Sequence, residues 1–528
     1  MKWFQKSVVY EIYPRSFKDT NHDGVGDLRG VIQKLDYFKE LGIGALWLAP
    51  VYTSPMADFG YDVADYCGVD PIFGTIRELD DLINKAHEKE IKVIMDFVPN
   101  HTSDKHPWFE ASRSSEDDPK RSWYIWKKGK KDGSPNNWLS TFGGSGWEYD
   151  DKTQSYYYHS FLKEQPDLNW RNPEVKEAMK NVLRFWLDRG VDGFRVDVVY
   201  YIFKDAEFKD NPLNPQFVPG TDNPYMEQIH VYDKGLPETL GVVKEFCHVL
   251  EEYKDKCLIS EIYAPFEKLK PYYAACDTKI HFPFNMNLIG LNWSAEDYRS
   301  LVEEVESNLR EDDVPNYILG NHDKSRVVSR VGKPRARLLA MLQMTLRSTP
   351  FIYYGEELGM ENGDIHEDEI RDNFEKHVPG MGLGRDPMRT PMQWTAEQYS
   401  GFSEARPWLP VASGYAECNV VSERGDPASF LNLYKKLIHT RNTSDALLKG
   451  KYETVDVDNE EVYAYSRAYE KEKFIVLLNF SDQEQKILLR GRYVLVCSSF
   501  MDKAKEGNVD SRRVTLRPNE GQLLRVEV

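Results

Sequence analysis

Long apolar runs are missing from this sequence. No window approaches the eighteen or so consecutive apolar residues of a membrane-spanning helix, and the start at Met1-Lys2-Trp3-Phe4-Gln5-Lys6 lacks the apolar stretch and small-residue cleavage site of a secretory signal. No membrane partner is expected. A basic surface is missing as well: 68 Lys and Arg stand against 85 Asp and Glu, a formal net charge of −17. Without a positive stripe to meet phosphates, nucleic acid is excluded as a partner. Cysteines are few, and the six (Cys67, Cys247, Cys257, Cys276, Cys418, Cys497) fall without CxxC or metal-ligand spacing in a chain too large to need stapling. A reducing, cytoplasmic setting is the expectation.

What is present is an ordinary globular composition. With 528 residues, 41% of them hydrophobic, the chain can bury one large core and one or two smaller ones, so two to three domains are expected. Oligomeric state is left open between a monomer and a small homo-oligomer. The 31 Tyr and 12 Trp would suit stacking on sugar rings, although ordinary core and surface aromatics account for most of them.

Along the chain one unit repeats: helix, glycine, short buried strand. Val8 to Tyr13 reads as a first strand stopped by Pro14. A helix-like stretch from about Leu28 to Leu41 closes at Gly42 and leads into Ala45 to Ala49. Glu78 to Glu90 is helical in pattern and precedes the strand Lys92 to Val98. Asn172 as N-cap, Pro173 at the first helical position and Gly190 as stop frame another helix, which feeds Gly193-Phe194-Arg195-Val196-Asp197. Cys257 to Ile262, Lys279 to Phe284, Asn316 to Gly320 and Pro350 to Tyr354 complete eight strands. Eight apolar strands alternating with helices predict a closed parallel (β/α)8 barrel, the TIM-barrel architecture. The rival, a doubly wound open sheet, would want a GxGxxG after its first strand, and none is there.

Two segments break the alternation. Residues 102–169, rich in Trp, Tyr, Lys, Asp and Gly, predict an irregular subdomain inserted after strand 3. Residues 452–528 show short alternating strands and predict an antiparallel β-sandwich. The barrel then comprises 1–101 and 170–451.

In the loop after the first strand, Asp19, Asn21, Asp23 and Asp27 alternate with other residues around Gly24, the manner in which a calcium loop wraps a hard cation. It departs from the EF-hand, because Gly30 stands where the bidentate Glu should be. Asp19, Asn21, Asp23, Val25 and Asp27 are the candidate ligands of a structural Ca²⁺ or Mg²⁺; the alternative is a metal-free loop of Asx turns. No organic cofactor is expected.

Barrel active sites lie at the C-terminal strand ends. Those ends carry Asn100-His101, Arg195 with Asp197, Glu261, and Asn321-His322-Asp323. Arg195 and Asp197, two apart on a strand, share a face, and an Arg beside a carboxylate keeps it ionised; for that strand alone, a core ion pair serves equally well. Three carboxylates, two histidines and an arginine at one mouth, with no Ser or Cys nucleophile, phosphate loop or His-rich metal cage, fit glycoside chemistry. Asp197 suits the nucleophile. Glu261, with no adjacent cation in the sequence, suits the acid/base.

At this point the chain resembles the α-amylase superfamily, glycoside hydrolase family 13, in its α-glucosidase and oligo-1,6-glucosidase branch. The resemblance runs over nearly the whole chain and is carried by Asp96 to His101, Gly193 to Asp197, Ser260 to Tyr263, Leu319 to Asp323, Gln165 to Trp170, and Gly384 to Trp394. It implies Asp197 as nucleophile, Glu261 as general acid/base and Asp323 as transition-state stabiliser. His101, Arg195 and His322 would hold the glucosyl unit, and Tyr61-Asp62 with Arg389 would grip its non-reducing-end hydroxyls, making a closed, exo-acting site. The loop from Asp19 to Asp27 is similar to the family's single metal site.

Val198 after the nucleophile matches members favouring α-1,6 bonds, whereas Glu261 to Pro265 and Lys209 to Pro215 look more like enzymes of α-1,4 or sucrose type. Tyr200, where long-substrate amylases often carry His or Lys, is consistent with short substrates. The implied activity is a retaining exo-α-glucosidase on maltose, isomaltose or sucrose-type α-glucosides. A transglucosylase or sucrose isomerase with the same intermediate is the alternative. The remote alternative is a non-catalytic ectodomain like the amino-acid transporter heavy chains.

Overall fold

The short apolar runs between helix stops become parallel strands: β1 (Val9–Ile12), β2 (Ala45–Leu48), β3 (Lys92–Phe97), β4 (Gly193–Val196), β5 (Cys257–Ser260), β6 (His281–Pro283) and β7 (Phe351–Tyr353). A computed structural model describes residues 1–129, 133–502, 508–509 and 513–527. The sheet order β7-β1-β2-β3-β4-β5-β6 returns the last strand to the side of the first. All pairings are parallel, with registers such as Val9↔Phe351 and Asp96↔Arg195. Every residue of β1, β2, β4 and β5 is buried, as expected for a curled parallel sheet packed on both faces.

The expected strand from Asn316 to Gly320 is a correction. This segment forms no ladder; it lies between the chain after β6 and the chain before β7, with Ile318 N donating to Asn285 O and Thr349 N to Pro315 O, both at 3.2 Å. Pro315 offers no N–H. Side-chain amides stand in for ladder bonds: Asn316 Nδ2 donates to Thr349 O at 2.8 Å, and Gln343 Nε2 to Tyr317 O at 3.1 Å and Phe351 O at 2.9 Å.

Helices begin where their caps predict. Thr75 and Glu78 form a reciprocal capping box for Ile76–Glu88. The Asn172 side chain accepts from Glu174 N, Pro173 occupies the first position, and Val175, Met179, Val182, Leu183 and Trp186 bury one face of Pro173–Asp188. The expected helix from Leu28 to Leu41 is two, Leu28–Gln33 and Leu35–Leu41, separated at Lys34.

Between β3 and β4 the chain adds a helix, Pro107–Ser114, and a small antiparallel sheet in which Ser155–Tyr158 lies between Trp126–Lys127 and Trp147–Asp150. After residue 450 come a six-stranded antiparallel sheet and a two-stranded one, with part of the segment expected as a sandwich lying outside the described residues. Buried Arg467 ties this region to the barrel through Thr345 O at 2.6 Å.

The cysteines bring a second correction. Cys247, on Glu238–Glu251, is bridged to Cys276, 29 residues on, across a Cα–Cα distance of 6.0 Å. Helix packing brings the two within the range a bridge can span, which their sequence spacing does not show. Cys67, Cys257 and Cys418 are free thiols.

Candidate active site

Arg195 sits at the floor of the barrel mouth because β4 places it in register with Asp96 on β3, both side chains fully buried. A buried guanidinium needs counter-charge, and three carboxylates supply it. Nη1 lies 2.8 Å from Asp96 Oδ1 and 2.7 Å from Asp197 Oδ1; Nη2 lies 2.6 Å from Glu261 Oε1. The expectation that Glu261 has no adjacent cation is thus corrected: β5 runs beside β4 and carries it to the same arginine. One positive charge is thus divided among three carboxylates. Burial pushes the Asp197 carboxyl up, and the charges of Glu261, Asp96 and Asp323 add to that against the pull of Arg195. The expectation that Arg195 by itself keeps Asp197 ionised does not allow for this sharing.

Val198 continues the chain in the left-handed region (φ 35°, ψ 39°), costly for a β-branched residue. That turn aims its N–H at Glu261 Oε2, 3.1 Å away.

His322 is held by Glu11, which the sequence reading passed over. Its Nδ1 lies 2.6 Å from Glu11 Oε1 and its Nε2 2.9 Å from the Tyr61 hydroxyl; the ring stacks between Tyr13 and Tyr61. Burial pushes His322 down to about 3 and Glu11 well up, so the pair is neutral in sum. Asp323 behaves oppositely. Burial works against its charge, but His322, Arg389 and Arg385 together hold it below the usual carboxylate range. Arg389 Nη2 meets Asp323 Oδ1 at 2.7 Å, and its Nε donates to His322 O at 2.9 Å.

The Tyr61-Asp62 pair is not brought together as expected. Asp62 turns away from the mouth: its carboxylate accepts from Ser54 Oγ, Ala57 N and Asp58 N, each at 2.9 Å, capping the turn it belongs to. Asp58 takes the place at the cavity. Its Oδ1 lies 2.7 Å from Arg385 Nη2, and its Oδ2 accepts from Gln165 Nε2 at 3.1 Å, which in turn lies 3.1 Å from His101 Nε2. Burial pushes His101 down to about 4, so it is a neutral ring near neutral pH.

These groups surround a cavity of about 530 Å³ whose lining includes Asp58, Tyr61, His101, Asp197, Glu261 and Asp323, a volume typical of small-molecule sites. Arg195, His322 and Arg389 support that lining from behind. Tyr201 rather than Tyr200 reaches the cavity; Tyr200 packs against Gly235 and accepts its N–H through the main chain. Glu11 and Asp96 could have been found by the signal that marked Arg195, a charge inside an apolar strand.

Away from the cavity, the loop from Asp19 to Asp27 is tightly self-bonded. Asp19 Oδ1 accepts from Asn21 N at 3.0 Å and His22 N at 2.8 Å, Asp23 Oδ1 from Val25 N at 2.8 Å, and Asp27 Oδ1 from Gly30 N at 2.8 Å. Among the described residues no three His, Cys, Asp or Glu side chains gather in metal-binding geometry. The loop's oxygen set, three carboxylates with an amide and the Val25 carbonyl, is nonetheless chemically that of a hard cation. Also among the described residues, no helix is long and apolar enough to cross a membrane.

The family model for the alpha amylase catalytic domain matches residues 11–450, and that for the maltogenic amylase C-terminal domain matches 452–502. The alpha-glucosidase of Apis mellifera is 40% identical, covering 92% of this chain and 86% of its own length. The oligo-1,6-glucosidase of Parageobacillus thermoglucosidasius is 36% identical over 100% of this chain and 99% of its own. The crystal structure of an alpha-glucosyl transfer enzyme superposes with a TM-score of 0.93 at 35% identity, covering 100% of both chains.

Proposed function

The chain belongs to the alpha-amylase family, and from that membership we propose that it is a retaining, exo-acting α-glucosidase of short α-glucosides. One observation carries the reading: a single buried guanidinium presents Asp197 and Glu261 on its two terminal nitrogens at the floor of a cavity whose wall includes the Asp58–Arg385 ion pair. Retaining glycosidases hold their two carboxyls close together, about 5 Å apart, and a shared guanidinium keeps Asp197 and Glu261 near one another.

In this mechanism Asp197 attacks the anomeric carbon while Glu261 gives its proton to the leaving oxygen. A covalent glucosyl-enzyme forms, and Glu261 then takes a proton from the water that releases glucose. Ionised Asp323 faces the oxocarbenium-like charge of the transition state. Asp58 with Arg385, and neutral His101, would receive the glucose hydroxyls, with His322 steadying Tyr61 from behind. The Asp58–Arg385 pair closes the far end, so the substrate enters by its non-reducing end.

The likeness to an alpha-glucosyl transfer enzyme over the full chain supports a second reading, in which a sugar hydroxyl takes water's place as acceptor. Release of α-glucose from maltose, isomaltose or sucrose, with little from starch, supports hydrolysis; new oligosaccharides in place of glucose support transfer. Undiminished turnover by Asp197→Asn would refute the site assignment.

We further assign a structural Ca²⁺ or Mg²⁺ to Asp19, Asn21, Asp23, Val25 and Asp27, on the hard-oxygen chemistry of that set. Buried free Cys257 supports a cytoplasmic setting, while the Cys247–Cys276 bridge weighs against it. Thiol counts on protein alkylated at cell lysis decide between them.

A further inference from the structure

Two cations on the cavity wall have no part in the chemistry above. Lys324 directly follows Asp323, and its ammonium lies 4.7 Å from the ring centroid of Tyr263, two residues beyond Glu261. Lys234 arrives from the long loop after β4. Its ammonium lies 4.6 Å from the Tyr225 ring and 5.0 Å from the Tyr201 ring, and donates to the Tyr201 hydroxyl at 3.2 Å. All five side chains line the cavity.

Both lysines are half-buried, yet among the described residues neither has a carboxylate in ion-pair range. The remaining cation of the lining, Arg385, is tied to Asp58 and Asp372 at 2.7 Å each. In a chain of net charge −17, carboxylate partners are abundant, so two ammonium groups without an ion pair in one cavity lining are out of character. Tyrosine faces steady them while leaving N–H donors free for a ligand. The position matters too: Glu261 protonates the leaving oxygen, so the group that departs, the aglycone, lies on the side that Tyr263 and Lys324 border.

We propose that this wall recognises an anionic aglycone, so that the substrates include α-glucosides of sugar acids or of phosphorylated sugars. The inference rests on the α-glucosidase reading and narrows it. The reaction balances as for a neutral substrate: water adds across the glycosidic bond, giving glucose and the free acid or phosphate ester.

The test compares kcat/KM on maltose, on maltobionate (its reducing glucose oxidised to a carboxylate) and on maltose phosphorylated at the reducing glucose. Wild type, Lys324→Met, Lys234→Met and the two Lys→Arg variants are each assayed at about 10 mM and about 1 M salt, where the Debye length is about 30 and 3 Å. The expected result is an anionic-to-neutral ratio above one at low salt that falls at high salt. Each Met variant should lower that ratio about fivefold through KM, the scale of a partly exposed ion pair, and each Arg variant should restore it. A rise confined to the carboxylate or to the phosphate arm supports the proposal and identifies the anion. Good turnover of maltose with a ratio at or below one, unmoved by salt or substitution, overturns the proposal and leaves the α-glucosidase reading standing. No turnover of any of the three overturns both.

Discussion

Replacing Asp96 with Asn keeps the side-chain volume and removes one negative charge from beneath Arg195. In the native floor Arg195 Nη1 is shared by Asp96 at 2.8 Å and Asp197 at 2.7 Å, and Asp96 also accepts from Trp47 Nε1 at 3.1 Å and the Tyr61 hydroxyl at 3.2 Å. Two effects follow, of opposite sense. Removing one member of a buried ion pair costs about 3–5 kcal/mol. Because Arg195 keeps Asp197 and Glu261, the lower end applies, about 3 kcal/mol, or a fall in Tm of roughly 3 °C for a chain of this size. The second effect is on the nucleophile. The Asp96 charge is one of those pushing the Asp197 carboxyl up, after burial itself and Glu261, so its removal lets Asp197 ionise at lower pH. The acid limb of kcat/KM should therefore move to lower pH in a protein that is less stable. Thermal melts and a pH profile on an aryl α-glucoside read both effects. A folded variant whose acid limb stays put or moves to higher pH would refute the shared-arginine account.

Asp58→Ala should lower kcat/KM about 10- to 100-fold, the loss of a hydrogen bond to a charged group. Asp62→Ala should leave kcat/KM nearly unchanged and cost about 2 kcal/mol of stability through its unmet turn donors; equal kinetic losses in both would restore Asp62 to the site. Asp372 is held low because Arg385 outweighs the penalty of burial. The stability that wild type holds over Asp372→Asn should then be complete above the unfolded carboxylate value of about 3.9 and vanish as pH falls below it, read as a Tm difference against pH. Trp186→Ala, emptying a fully buried site packed against Tyr52, should cost about 3–5 kcal/mol in denaturant melts. Chelation should lower Tm in wild type and not in Asp19→Asn, since an ion at about a hundred times its Kd adds about 2.7 kcal/mol.

Much of the architecture was legible locally. Apolar runs ended by glycine and proline marked the strands of the barrel, and Asn172-Pro173 marked a helix start, because caps and burial act within a few residues. Arg195 and Asp197 stood out as charges in an apolar strand. Glu11 and Asp96 carried the same mark. The segment from Asn316 to Gly320 misled because composition makes a run apolar, while a ladder also needs donors in register, which Pro315 interrupts.

Asp62 and Glu261 show where local reading stops. Residues of one turn point in different directions, so only the turn itself, with Asp62 bonded to Ser54, Ala57 and Asp58, decides that Asp58 and not Asp62 faces the cavity. A charge's partners are set by distance in space, and Arg195 reaches Glu261 only because β5 runs beside β4. By itself the sequence determined which side chains are chemically able to act and on which elements they ride, since those depend on residue type and short-range periodicity. The tertiary structure alone decided their pairing, the bridge between Cys247 and Cys276 and the placing of Lys234 and Lys324 in one cavity lining, since each depends on contacts between parts of the chain far apart in sequence.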